Sequence, residues 1–179
     1  NPDLVLVATG SLPYNPPIPG IENGVQSWDL LSGKIEIPNN RKVAVLGGGT
    51  VGCETAELLA TYGNRVTIIE MLDQIATGLE GANMMDLFEV IKKMEINVLL
   101  NSKVTQLEPG LVVTYENRGE TKQDTFDYVV LAFGQKPHCE ELTQALEDAH
   151  IEYRVIGDAA KPSNFQNATS TAYFAALDA

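Results

Sequence analysis

The segment from Lys42 to Glu70 constrains the fold more than any other. It opens on Val43-Ala44-Val45-Leu46, a continuous apolar run of the kind that forms a strand buried on both faces. Gly47-Gly48-Gly49-Thr50-Val51-Gly52 follows, a glycine density that suits a tight turn and no helix or strand interior. Val51 to Tyr62 then reads as a helix, with Ala56, Leu58, Leu59 and Ala60 among its apolar positions and Gly63 as its stop. Val66-Thr67-Ile68-Ile69 is a second strand, and it ends on Glu70, 23 residues after Gly47. Strand, glycine turn, helix, strand and acid in this order is the β-α-β unit of a dinucleotide-binding fold. Gly47 permits the turn, Gly49 lets backbone N–H groups approach a pyrophosphate, and Gly52 lets helix and strand pack closely. With Gly48, Thr50 and Val51 they form a loop that holds phosphates at a positive helix N-terminus. Glu70 can accept both hydroxyls of an adenosine ribose. The competing reading is a glycine-rich turn in an α/β fold that binds nothing.

The flanks extend this unit. Leu4 to Ala8 reads as a strand buried on both faces, ended by Thr9-Gly10-Ser11. Pro13 to Gly20 holds four prolines in eight positions, a stiff connector and a domain crossing. Ser27 is placed to cap a short helix through Leu31. A second amphipathic helix runs from about Met84 to Met94 into Val98-Leu99-Leu100. Val104–Leu107, Leu111–Tyr115 and Phe126–Leu131 read as the strands of a β-meander, separated by Pro109-Gly110 and the polar stretch 116–124. The segment 3–13 matches the segment 127–137 without a gap, with Asp, Ala, Gly and Pro recurring at an offset of 124 residues. Each copy is an apolar strand leaving through a glycine turn, which suggests two similar dinucleotide folds. Tyr153 to Ile156 is a further apolar strand, and Gly157-Asp158 follows it. Asp158 is either a turn residue or an acceptor for a sugar or ribityl hydroxyl. Glu54 and Glu57 complement the dipole of the helix after the glycine loop, and Glu54 is also a candidate to face a cofactor.

Composition narrows the function classes. The chain has 179 residues with 12 Lys+Arg against 24 Asp+Glu, a formal net charge of −12. That balance argues against nucleic acid and anionic membrane as partners, because both need clustered cations. Two cysteines, Cys53 and Cys139, make no CxxC, metal cluster or disulfide framework, and the compartment reads as reducing, hence cytoplasmic. No apolar run approaches the ~20 residues of a membrane span. No catalytic Ser/His/Asp set, paired acid/base carboxylates or metal spacing stands out. The chain enters a strand almost at its first residue and stops inside a helix, so the expectation is a piece of a longer enzyme.

Taken in order, Val5-x-x-Ala8-Thr9-Gly10-Ser11, Pro16-x-Ile18-Pro19-Gly20, Gly47-Gly48-Gly49-x-x-Gly52-x-Glu54, Val66-Thr67-x-x-Glu70, Ala132-x-Gly134-x-x-Pro137 and Ile156-Gly157-Asp158-Ala159 resemble the two-dinucleotide-domain flavoprotein reductases, the pyridine nucleotide-disulphide oxidoreductase superfamily. Asp29-Leu30-Leu31-Ser32-Gly33 and the loop through Glu54 look most like the C-terminal part of NADH:flavin oxidoreductases of the 2-enoate reductase and 2,4-dienoyl-CoA reductase type. The resemblance implies an α/β architecture: a Rossmann-like NAD(P)H-binding domain at 24–148, with parallel sheet, helices and meander. Residues 1–23 and 149–179 would be segments of the FAD-binding domain that it interrupts. It implies NADH at the glycine loop, Glu70, Phe133 and Gly134; Glu70, which meets a 2′-phosphate as like charge with no cation in Met71-Leu72-Asp73, predicts NADH over NADPH. It implies FAD at Thr9, Gly10, Gly157 and Asp158, with FMN and an iron–sulfur cluster upstream. The partner is then the rest of the flavoenzyme chain. In the parent, NADH would reduce FAD and electrons would reach an activated C=C bond, while this piece alone would be inactive. Asn167-Ala168-Thr169 departs from the more apolar pattern expected there. A disulfide reductase or NADH oxidase type flavoenzyme, and a non-catalytic NADH-binding module, are the alternatives.

Overall fold

The computed structural model describes residues 2–77, 79 and 81–178. Along the chain run β1 (Val5–Val7), β2 (Ser11–Pro13), β3 (Val25–Gln26), α1 (Ser27–Leu31), β4 (Lys42–Leu46), α2 (Thr50–Thr61), β5 (Arg65–Ile69), α3 (Ala82–Lys93), β6 (Asn97–Leu99), β7 (Ser102–Glu108), β8 (Val112–Asn117), β9 (Glu120–Thr125), β10 (Tyr128–Leu131), β11 (Gln135–Pro137), α4 (Glu140–Asp148), β12 (Tyr153–Val155) and α5 (Phe165–Leu177). They fall into two compact units. One is the segment from Asn15 to Gly134; the other joins the chain up to Tyr14 with the chain from Gln135. No helix among the described residues is long and apolar enough to cross a membrane.

In the 15–134 unit a parallel sheet runs in the order β3-β10-β4-β5-β6. The apolar runs read from sequence are its central strands, and their period of two splits the core into two layers. Val43, Val45, Val66, Ile68 and Val130 pack with Cys53, Ala56 and Leu59 of α2 and with Leu87 and Ile91 of α3. Ala44, Leu46, Ile69, Val129 and Leu131 pack instead with Val104, Leu107, Val113, Tyr115 and Phe126. Helices therefore cover one face of the sheet and the antiparallel meander β7-β8-β9 covers the other.

Within this unit two local readings change. The third meander strand is not 126–131 but β9, while β10 joins the parallel sheet beside β4. β9 is a polar, largely exposed edge strand, so it carries no apolar alternation to reveal it. Ser27 is the first residue inside α1 rather than its cap, and the α1 N-cap, Gln26, makes no side-chain capping bond.

In the other unit β1 pairs in parallel with β12, and β2 pairs antiparallel with β11. Burial of β1 is one-sided: Val7 is buried but Leu6 is 40% exposed. Its one strand partner among the described residues is β12. The sequence repeat reappears in the register. Ser11 faces Pro137, Leu12 faces Lys136 and Pro13 faces Gln135. An offset of 124 carries Ser11, Leu12 and Pro13 onto Gln135, Lys136 and Pro137, so the repeat maps this ribbon onto itself about its central pair.

Candidate functional site

The chain leaves β4 and crosses through α2 to β5 on one side, while β10 returns to β4 on the other side. The carboxyl ends of β4 and β10 thus bound a switch point in strand order, where open α/β sheets take their ligands. The glycine loop sits there. Gly47 has φ +107, and a Cβ on it would lie 2.4 Å from the Ala132 carbonyl oxygen at the end of β10. Its N–H donates to the Ile69 carbonyl at 2.9 Å, holding the turn to β5 as well. A Cβ on Gly52 would meet the Gly47 oxygen at 2.1 Å, so only glycine lets α2 start this close to the turn. Gly49 differs: a Cβ there has no atom within 4 Å.

The open space beside Gly49 coincides with the start of α2. Gly49 is the N-cap, and the Cys53 N–H closes the first helical turn on the Gly49 carbonyl at 3.0 Å. The N–H groups of Thr50, Val51 and Gly52 precede that bond and have no intrahelical acceptor. Thr50 and Val51 are half-buried, and Gly52 is buried. A cradle of unpaired donors facing space that a side chain would fill fits an anionic pyrophosphate.

Glu70 stands at the end of β5, 7% exposed. Its Oε2 accepts the Gly48 N–H at 2.6 Å and its Oε1 accepts the Leu72 N–H at 2.7 Å. A carboxylate accepts up to four hydrogen bonds, so each oxygen keeps capacity for a hydroxyl. Beneath the loop, the Ala76 N–H donates to the Gly48 carbonyl at 2.7 Å, and the Cys53 thiol reaches the same oxygen at 3.5 Å. Burial pushes the Cys53 thiol up to about 11, with lesser contributions from Glu70 and Glu54, so it stays a donor at neutral pH. Ile75 and Ala76 are buried and were not singled out in the sequence; an Ile-Ala pair in a loop carries no local signal of its partner.

Phe133 packs partly buried against the meander-side core, and Gly134 is exposed with φ +90. Both follow β10, on the other side of the switch point from Glu70. Glu54 is exposed on α2. The remaining candidates lie in the other unit. Thr9-Gly10 follows β1 and Gly157-Asp158 follows β12, so pairing of those strands brings the four residues to neighbouring strand ends. The Thr9 hydroxyl donates to the His138 carbonyl, and the His138 N–H donates to the Gly10 carbonyl at 3.0 Å. Gly10 has φ +77 and open space where a Cβ would be. Gly157, at φ +60, donates its N–H to the Thr171 hydroxyl at 2.9 Å. Asp158 is half-buried and its Oδ1 accepts the Ser163 N–H at 3.1 Å, closing the turn towards α5.

Residues 2–171 match the family model described as pyridine nucleotide-disulphide oxidoreductase. An NADH oxidase of Thermoanaerobacter brockii is 40% identical over 177 residues, covering 97% of this chain and 27% of that protein. A bilirubin reductase of Mediterraneibacter gnavus is 36% identical over 179 residues, covering 98% of this chain and 27% of that protein. The solved structure of a 2-naphthoyl-CoA reductase in complex with 2-naphthoyl-CoA superposes with a TM-score of 0.82 at 27% identity, over 96% of this chain and 26% of the other. The chain thus spans 27% of the length of these two curated relatives. With the family model matched from residue 2 to residue 171, and its glycine loop at the switch point of a parallel sheet, the chain belongs to the pyridine nucleotide-disulphide oxidoreductase family.

Proposed function

We propose that the 15–134 unit is the NADH-binding module of a flavin-dependent oxidoreductase, and that it prefers NADH to NADPH. One observation carries this reading: the buried Glu70 carboxylate is bonded to the second glycine of a loop whose third glycine, Gly49, caps α2 beside open space. The pyridine nucleotide, when bound, supplies a hydride. Gly47 and Gly52 bring the helix start to the switch point, and the N–H groups of Gly49, Thr50 and Val51 receive the pyrophosphate. Glu70 accepts ribose hydroxyls with its remaining lone pairs and meets a 2′-phosphate as like charge. The next residues, Met71, Leu72 and Asp73, offer no cation to hold that phosphate. Phe133 and Gly134 flank the remainder of the dinucleotide.

The same reading gives the neighbouring strand ends Thr9-Gly10 and Gly157-Asp158 to an FAD site. Asp158 and the glycine backbones would take sugar or ribityl hydroxyls. For the whole polypeptide it extends to reduction of an activated C=C bond, with FMN and an iron–sulfur cluster carried outside this chain. The similarity to two reductases of organic acceptors supports that extension.

Calorimetric titration of NADH and NADPH into the protein tests the module. NADH should bind about tenfold to a hundredfold more tightly, since a lost bond to a charged group costs roughly 1.5–3 kcal/mol and ~1.4 kcal/mol is tenfold. Equal affinities would remove Glu70 from the site, and failure of both nucleotides to bind would return the glycine turn to a purely structural role.

A further inference from the structure

We propose that the segment from Leu72 to Ala76 is a positioning strap that holds one peptide of the glycine loop against flipping, and so aims the Gly49 N–H at the ligand's phosphate. The inference rests on the nucleotide-binding reading above and adds residues that touch no ligand.

The loop has two consecutive peptide units joining three glycines, Gly47–Gly48 and Gly48–Gly49. Glycine crosses between φ regions at little steric cost, so such peptides are free to rotate as rigid plates. Each plate is planar and trans, which sets its C=O and its N–H in opposite directions. The first plate is pinned by Glu70, which accepts the Gly48 N–H at 2.6 Å. The second is pinned through its carbonyl. The Gly48 oxygen accepts the buried Ala76 N–H at 2.7 Å and the Cys53 thiol at 3.5 Å. With that oxygen held inward, trans planarity turns the N–H on the same plate, Gly49's, away from the core, and a Cβ on Gly49 would meet no atom within 4 Å. A flipped plate would present the carbonyl oxygen to the phosphate and repel it.

The strap is built for that contact. Ala76 is fully buried at φ +54, a conformation a residue with a Cβ adopts at a cost and keeps only where the surroundings impose it. Ile75 closes on Gly48 from the same side: a Cβ on Gly48 would lie 2.7 Å from Ile75 Cγ2. The strap's first residues are tied down independently. The Leu72 N–H donates to the other oxygen of Glu70 at 2.7 Å, and the Leu72 carbonyl accepts the Asn101 N–H at 2.9 Å. One carboxylate thus joins the start of the strap to the first plate, and Ala76 joins its end to the second.

Two experiments on the whole chain test this. In the first, amide hydrogen exchange and 15N-resolved spectra are recorded with and without NADH. The Ala76 amide should be protected in both states, and the Gly49 amide should be unprotected without NADH and shift on its addition. An Ala76 amide that exchanges freely, or a Gly49 amide indifferent to NADH while NADH binds, overturns the proposal. In the second, Ala76→lactic acid replaces the N–H by an ester oxygen and leaves the side chain unchanged. Its Kd for NADH and for NADPH should each rise by about tenfold, the scale of one misdirected bond to a charged group. Ala76→Gly, which keeps the N–H, should raise each Kd far less than the ester does, and an equal rise in the two variants overturns the role of the N–H. An ester variant that folds and binds NADH normally sinks the strap alone; a wild-type protein that binds no NADH sinks the nucleotide reading first.

Discussion

The Glu70 carboxylate accepts the Gly48 N–H at 2.6 Å, so the acid at the end of β5 is part of the glycine loop before any ligand arrives. Its second oxygen is engaged by Leu72, and the side chain is buried. Glu70→Gln keeps the volume but leaves an amide NH2 facing one of two backbone donors. That substitution should lower unfolding free energy by about 1–3 kcal/mol without nucleotide, the cost of an unsatisfied buried group. It should also narrow the ratio of NADPH to NADH dissociation constants. Denaturant titration and calorimetry measure the two effects separately; an unchanged stability would show that the backbone contacts contribute nothing.

Alanine scanning of the loop should split into two kinds of effect. Gly52→Ala places a Cβ 2.1 Å from the Gly47 oxygen, a backbone atom that cannot swing aside, so α2 or the turn must move. Overpacking of this sort costs about 1–3 kcal/mol. Gly49→Ala meets nothing within 4 Å and already has φ −66, which alanine accepts. Its stability should stay within about 0.5 kcal/mol of the wild type, as at sites free of such features, while NADH affinity falls because the methyl occupies the ligand's space. Thermal melts and NADH titrations of the two variants, run side by side, give the comparison.

Thiol chemistry should separate the cysteines. Cys53 is buried with its thiol pushed up to about 11 by burial, whereas Cys139 is half-buried, with its thiol directed at the Ala159 carbonyl at 3.3 Å. The thiolate is the reactive form. At neutral pH the folded protein should therefore release about one equivalent of colour with an aromatic disulfide reagent promptly, and a second only on unfolding. Cys139→Ala should abolish the prompt equivalent. Prompt reaction at Cys53 in that variant would mean that the glycine loop opens in solution.

Alkaline stability should depend on Tyr115. It lies in the core under the sheet, and its hydroxyl donates to Asp124 Oδ2 at 2.8 Å. Burial first, and then that carboxylate, push the phenol from 10 up to about 12. A folded-state value above the unfolded one means that the native state holds its proton longer. The contribution is whole below pH 10 and is lost as pH rises through about 12. Unfolding free energy should fall less steeply across that window in Tyr115→Phe than in the wild type. Equal slopes would take Tyr115 out of the alkaline transition.

The β4-turn-α2-β5 unit was legible because its determinants are local. Gly47 and Gly52 have contacts within five residues or at an adjoining strand end, and α2 begins and ends within one residue of the expected span. β9 was hidden because Glu120–Thr125 is polar and largely exposed, and its ladder with β8 is joined by polar side-chain bonds such as Tyr115 to Asp124 rather than by an apolar alternation. Phe126 to Leu131 was legible as apolar but not as to which sheet it joins, since burial in either gives the same sequence. The Gly48–Ala76 bond links residues 28 apart through a backbone donor, which no side-chain pattern records. The two repeat segments were visible, yet the sequence alone did not say that their exits would pair with each other.

That pairing makes the 15–134 unit a cassette. The chain enters it after Tyr14 and leaves it at Gln135, and Gln135 is the cross-strand partner of Pro13, one residue before the entry. Opposed residues of an antiparallel pair lie about 5 Å apart, a gap that a hairpin of a few residues closes. The host therefore sees the same two anchor points whatever is strung between them. The entropic cost of closing the chain between those points grows only slowly with the length enclosed.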